Sequence, residues 1–153
     1  MTSAAPAKRP LPPTYFLIAL LAMVALHLFA PGPRLIGSLW RLAGVALIAI
    51  GVGLNLWADG LFKTHGTEVK PFRESSALVI EGPFRFSRNP MYAGMLAVLA
   101  GAAVLAGTLT PFFVVIITAW LLTAHFVIPE ERHMEEQFGE PYRAYKSRVR
   151  RWL

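Results

Sequence analysis

The sequence predicts an all-α, polytopic membrane protein with four transmembrane helices followed by C-terminal amphipathic helices. Three observations predict it. The 153 residues are 55% hydrophobic with a mean hydropathy of +0.48, and only 16% are charged, where a soluble domain carries roughly a quarter. The apolar residues fall in runs that approach the length needed to cross a hydrocarbon core of about 30 Å. The basic residues lie beside those runs, so the net charge of +6 suits anionic lipid headgroups rather than nucleic acid. With no cysteine in the chain, disulfides and thiolate metal sites are excluded. No internal repeat is found.

Residues 1–14 hold four prolines and Lys8-Arg9 and read as a disordered basic tail; residues 15–153 read as a single domain. The first apolar run, Tyr15–Ala30, would make a helix of ~24 Å. Its basic start leaves a cleaved signal peptide as the rival reading. His27 within it reads as a packed or interfacial histidine. Pro31-Gly32-Pro33 makes a turn, and Leu35–Ala58 forms the second span. Glycines 44, 51 and 53, with Ala49, suit close helix packing. No strand precedes Gly51-Val52-Gly53, so it is not a nucleotide fingerprint. Asn55 and Asp59 mark the membrane interface.

Asp59 to Pro90 is a connection of a length that is usually functional or disordered. Val69, Phe72, Leu78, Val79, Ile80, Phe84 and Phe86 within it call for burial, so it is expected to fold against the membrane face of the bundle. At its end, Asn89 suits a helix N-cap and Pro90 the first helical position, which starts the third span, Pro90–Ala106. Ala93, Ala97 and Gly101 give that span a small-residue face. The turn Gly107–Pro111 makes the third and fourth spans an antiparallel hairpin, the fourth running Pro111–Ile128. Pro129 is expected to end or kink it. Glu130–Phe138 then reads as a polar helix stopped by Gly139. The last helix starts at Pro141 and places Tyr142, Tyr145, Val149 and Trp152 on one face. Arg143, Lys146, Arg148, Arg150 and Arg151 fill the rest, as in a helix lying among headgroups. On this layout thirteen Lys and Arg fall on one side of the membrane, against Arg34 and Arg41 on the other. The positive-inside rule makes the first side, with both termini, cytoplasmic. The compact size and the lack of an organellar signal suit a bacterial inner membrane.

The polar, turn-rich stretch Leu78–Tyr92 sits between apolar segments, where unpaired backbone is costly; a bound cofactor is expected to pair with it. The start of the third helix offers N–H donors and a positive dipole to an anionic group. Plainer readings stand beside this one. Arg85 and Arg88 also read as cytoplasmic anchors and Glu130-Glu131 as acids favourable to a helix dipole, while Tyr142 and Tyr145 read as interfacial aromatics ahead of cofactor contacts. His65 and His133 read as surface residues.

The run Gly82-Pro-Phe-Arg-Phe-Ser-Arg-Asn-Pro-Met-Tyr-Ala-Gly94, followed by Glu130-Glu131 and by Phe138-Gly-Glu-Pro-Tyr-Arg-Ala-Tyr145, resembles the isoprenylcysteine carboxyl methyltransferases and, more broadly, the integral-membrane phospholipid methyltransferases. The likeness covers roughly residues 60–153, which it implies to be the cofactor-binding part. It implies S-adenosylmethionine as cofactor. Binding would fall to Ser76, Ala77, Leu78, Val79 and Phe84 along an extended approach, to Asn89, Pro90, Met91 and Tyr92 at the helix start, and to Glu130 across the pocket. Two positions depart from the family pattern. Asn89 replaces a histidine, and Phe126 stands where the eukaryotic prenylcysteine enzymes carry a substrate-contacting arginine.

Methyl transfer from a sulfonium is an in-line displacement, so positioning and desolvation supply much of the catalysis. Arg88 and Glu131 are the candidate catalytic residues: Arg88 to pair with a carboxylate of cofactor or substrate, or with a lipid phosphate, and Glu131, or else His125, as the base an amine acceptor needs. No metal is called for. The implied acceptor is lipid-like, prenylated or otherwise a small hydrophobic molecule, with oxygen, nitrogen and sulfur nucleophiles all open. An NADPH-dependent membrane reductase of related architecture and a non-catalytic membrane scaffold are the alternative functions.

Overall fold

The computed structural model describes residues 11–64, 66 and 78–153. The tail residues 1–10 and the predicted cofactor contacts Ser76 and Ala77 lie outside the described residues. Helix α1 spans Pro12–Phe29, α2 Leu42–Thr64, α3 Pro90–Ala106, α4 Thr110–Leu122, α5 Ile128–Phe138 and α6 Glu140–Arg148. A single 3-10 turn, Ser38–Arg41, leads into α2. Among the described residues there is no strand, and one antiparallel bridge joins Arg34 to Thr108.

The chain runs up and down as four long antiparallel helical segments. At one end the turn after α1 is tied to the turn after α3: Leu35 and Ile36 donate their N–H groups to the Gly107 carbonyl, and Leu109 N–H bonds the Pro33 carbonyl at 3.1 Å. Gly107, at φ +70°, ends α3 in the left-handed conformation that a Cβ disfavours. His27 Nδ1 meets Thr108 Oγ1 at 3.0 Å there, so His27 is a packed residue. The opposite end gathers Tyr15, the end of α2, residues 78–92, and everything from Phe126 to the C-terminus.

Helices α2 and α3 touch backbone to backbone. A Cβ built on Gly44 would lie 2.5 Å from the Gly101 carbonyl oxygen, and one on Gly51 would lie 2.5 Å from that of Gly94. Each pair is seven residues apart on its own helix, two turns, so both contacts fall on one antiparallel seam. Gly44, Gly51 and Gly101 were expected to pack closely. Gly53 does not: nothing stands within 4 Å of its would-be Cβ. Gly94, rather than Ala93, completes the seam. Asn55 bonds back to the Gly51 carbonyl at 2.9 Å and borders Gly94, which places it in this seam and not at a free polar surface. The remaining core lies between α1, α3 and α4, where Ala19, Met23, Leu99, Ala103 and Val114 are buried together.

The outer surface is apolar. Leu17, Ile18, Leu21, Val24 and Leu28 on α1, and Phe113, Ile116, Ile117 and Trp120 on α4, are all more than half exposed, a pattern suited to hydrocarbon rather than water. Three helical stretches, Pro12–Phe29, Ser38–Thr64 and Thr110–Phe138, are long and apolar enough to cross a membrane. Helix α3 is apolar but shorter, at 17 residues. The fold is that of a helical membrane protein.

Several boundaries differ from expectation for identifiable reasons. Helix α1 begins at Pro12, because Pro12 and Pro13 fit a first turn whose N–H groups have no helical partner, so residues 12–14 belong to the helix. Helix α2 runs on past Ala58 to Thr64, with Lys63 and Asp59 paired along its side, so the connection before α3 loses its first residues to helix. Pro129 does not end the fourth long helix. A π turn at Thr123–Val127 precedes it, and the added residue takes up the missing N–H and the crowding of the carbonyl four residues back. The helix continues to Gly139, whose φ of +58° stops it. The last helix ends at Arg148, with Val149 extended. Val149 and Trp152 therefore do not continue the helical face of Tyr142 and Tyr145.

Candidate functional site

Residues 82–85 form a 3-10 turn that seats the polar stretch on the end of α2. Gly82 has φ +54°, and a Cβ there would come within 2.6 Å of Leu61 and 3.2 Å of the Trp57 ring, so this corner needs glycine. The turn buries Phe84 with Val79 and Ala58, and Leu61, Phe62 and Met91 pack around them. Phe62 and Phe84 meet edge to face at 5.2 Å, the arrangement favoured by ring quadrupoles. Pro90 is fully buried at the start of α3. Leu78 is half-buried.

Beyond that corner the chain from Ser87 to Asn89 is clamped between α5 and the C-terminal segment. Glu131, 5% exposed, is the centre. Its Oε1 accepts from Arg88 Nη2 at 3.0 Å, from Arg88 Nε at 3.2 Å and from Asn89 Nδ2 at 3.2 Å. Its Oε2 accepts from Arg151 Nη2 at 2.9 Å and Nε at 3.2 Å. Two guanidinium groups thus fork onto one carboxylate, the geometry that favours arginine over lysine. The backbone joins in: Arg88 N–H donates to the Arg150 carbonyl at 2.9 Å, Arg88 Nη1 to the Val149 carbonyl at 2.6 Å, and Ser87 Oγ and Asn89 Nδ2 to the Arg151 carbonyl, each at 3.1 Å. Below, Tyr145 OH donates to the Phe84 carbonyl at 2.7 Å. Tyr142 and Tyr145 are 3% and 5% exposed, so α6 packs its tyrosines beneath residues 83–88 instead of laying them among headgroups. Burial, aided by the Glu131 charge, pushes the Tyr142 hydroxyl up to about 12; burial raises Tyr145 as well.

Glu130 faces elsewhere. Successive helical residues point about 100° apart, and while Glu131 meets the arginines, Glu130 Oε1 accepts from Tyr92 OH at 2.7 Å. Tyr92 lies in an aromatic wall with Phe126, whose ring stacks on it at 6.3 Å and meets Tyr15 edge-on at 5.2 Å. Leu122, Val127 and Trp152 complete the packing. One turn beyond Glu130, His133 has its Nε2 buried without a hydrogen-bond partner. His133 is therefore not the simple surface residue expected.

The structure brings the predicted residues together as two neighbouring groups. Tyr92 and Glu130 form one pair, and Asn89, Arg88 and Glu131 form one cluster. Val79, Phe84 and Met91 share the apolar corner. Asn89 does occupy the position before α3, but its side chain makes no cap bond; it serves Glu131 and the Arg151 carbonyl. His125, the other candidate base, is exposed, with Nδ1 at 3.0 Å from the Leu121 carbonyl. Sequence reasoning put Ser87, Arg151 and His133 on this side of the molecule but did not single them out as site residues. Arg151 is hidden in a run of basic residues that all look alike. His133 carried a signal: three residues after Glu130, it shares a helical side with it.

The fold and this polar end define a membrane protein with an organised site at one end of its bundle. The sequence profile described as phospholipid methyltransferase matches residues 39–141, so the chain belongs to the phospholipid methyltransferase family. That membership supports methyltransferase activity at a membrane. An uncharacterized protein of Haemophilus influenzae is 35% identical over 63 residues, which are 41% of this chain and the whole of that protein. Protein-S-isoprenylcysteine O-methyltransferase B of Arabidopsis thaliana is 28% identical over 138 residues, 87% of this chain and 68% of that protein. No solved structure matches.

Proposed function

We propose that this protein transfers a methyl group from S-adenosylmethionine to a lipid-like, prenylated or small hydrophobic acceptor at the cytoplasmic face of a membrane. The observation that carries the reading is the Glu130–Tyr92 pair at 2.7 Å, set at the start of α3 beside an apolar corner in a chain of this family. The donor set fits the cofactor. A carboxylate held by one hydroxyl retains acceptor capacity for ribose hydroxyls or an ammonium. S-adenosylmethionine supplies an electrophilic methyl group on a sulfonium. Glu130 binds and orients it, and Tyr92 fixes the carboxylate. Val79, Phe84 and Met91 keep water from that side, which strengthens the electrostatics within. Arg88 and Glu131, expected at the chemistry, act in this reading by holding Asn89 and α5 in register, so that the Tyr92–Glu130 geometry persists.

The same reading has α3 cross the membrane as well, which makes four spans, with one domain over 15–153, its cofactor-binding part over about 60–153, and both termini cytoplasmic in a bacterial inner membrane. The Lys and Arg count, thirteen against two, supports the orientation. The test is calorimetry on detergent-purified protein with S-adenosylhomocysteine, the demethylated product. Micromolar binding is expected, with a loss of about tenfold in Glu130→Ala. No heat with this ligand, alongside stabilisation by NADPH, would replace the methyltransferase reading with a reductase one. Labelled S-adenosylmethionine incubated with membrane extract then identifies the acceptor.

A further inference from the structure

On the partly exposed His133, Nε2 is the one buried side-chain nitrogen or oxygen without a hydrogen-bond partner among the described residues. Buried polar groups are nearly always paired, and an exception calls for a partner that completes it. Its place on α5 says which. Residues 130 and 133 project about 60° apart on the helix, whereas 131 projects away from 133. Glu131 is saturated by Arg88, Arg151 and Asn89. Glu130 has one oxygen on Tyr92. His133 therefore flanks the carboxylate that the arginines do not occupy.

We propose that His133 is a ligand-binding residue of the Glu130 site, its Nε2 hydrogen-bonding bound S-adenosylmethionine. This rests on the methyltransferase reading above. A carboxylate only accepts hydrogen bonds, while a neutral imidazole nitrogen donates in one tautomer and accepts in the other. The two side chains together match a ligand rich in hydroxyl and amino groups. A histidine kept for packing alone would be better served by an apolar side chain, which leaves no nitrogen unpaired.

The experiment measures S-adenosylhomocysteine affinity and ligand-free melting temperature for wild type, His133→Leu and His133→Gln in the full chain. The product shares the cofactor's nucleoside and amino-acid groups. The expected result is about tenfold weaker binding in His133→Leu, the worth of one hydrogen bond, at an unchanged or higher melting temperature. His133→Gln, which can place an amide nitrogen near the position of Nε2, is expected to recover most of the affinity. Should His133→Leu not fold, His133→Met takes its place. Wild-type binding with full affinity in the apolar variant overturns the proposal. So does parallel loss of melting temperature and affinity in both the apolar variant and His133→Gln, which marks a structural residue. Absence of wild-type binding overturns the methyltransferase reading itself, and this proposal with it.

Discussion

Glu130 and Glu131 are neighbours in sequence and belong to different regions of the molecule. Glu131 is enclosed by two guanidinium groups and an amide, and through them it ties α5, the start of α3 and the C-terminal segment into one unit. Glu130 meets a tyrosine hydroxyl in an aromatic wall, and three residues on, His133 has an Nε2 with nothing to bond. A satisfied carboxylate holds structure. A partly satisfied one is available to a ligand. The difference arises from the 100° step of the helix, which turns one acid toward Arg88 and the next one back toward Tyr92.

The largest expected effect tests the structural half of that contrast. Glu131→Ala strands Arg88, whose side chain is 9% exposed, and removing one partner of a buried ion pair costs about 3 kcal/mol or more. Unfolding of the detergent-solubilised variant should show that loss, and Arg151→Ala, on the more exposed partner, should lose less. A Glu131→Ala variant as stable as wild type would remove the clamp. Next, Tyr92→Phe deletes one hydrogen bond, about 1 kcal/mol of stability, and should weaken S-adenosylhomocysteine binding more visibly than it lowers the melting temperature. Equal damage to stability in Tyr92→Phe and Glu131→Ala would erase the distinction between the two acids.

The smallest effect appears only at alkaline pH. The Tyr142 hydroxyl has its folded value raised from 10.0 to about 12. Its contribution to stability is therefore full below pH 10 and is lost as pH rises from 10 through 12. Tyr142→Phe should match wild type at pH 7 and exceed it by about 1 kcal/mol near pH 11. There the phenol ionises in the unfolded chain but not in the folded one, which favours unfolding by about 1.4 kcal/mol for each pH step above its ordinary value. Identical alkaline unfolding of the two proteins would show that Tyr142 is not buried under the clamp.

Much of the fold was legible because its signals are local. Asn89-Pro90 and Gly107 bound α3 where the sequence placed them, and Gly139 stopped α5 by the positive φ that glycine tolerates. The misses come from causes that no local pattern carries. A π turn let the helix run through Pro129. The inward facing of Tyr142 and Tyr145 depends on the carbonyl of Phe84 and on residues 83–88 above them, about sixty positions away. Arg88 and Glu131 were recognisable as important residue types, but their mutual pairing spans 43 positions and includes Arg151, which nothing in the basic C-terminal run singles out. Tyr92 and Glu130 were identified singly; that they meet follows only from the antiparallel course of α3 and the helix containing α4 and α5.

The glycine seam has a consequence for traffic. Where Gly44 faces Gly101 and Gly51 faces Gly94, the two backbones are too close for even one added carbon. A hydrocarbon chain cannot slip between α2 and α3 along that length, so this flank is a sealed bulkhead. Any membrane-borne molecule reaching the Tyr92–Glu130 end must come round another side of the bundle.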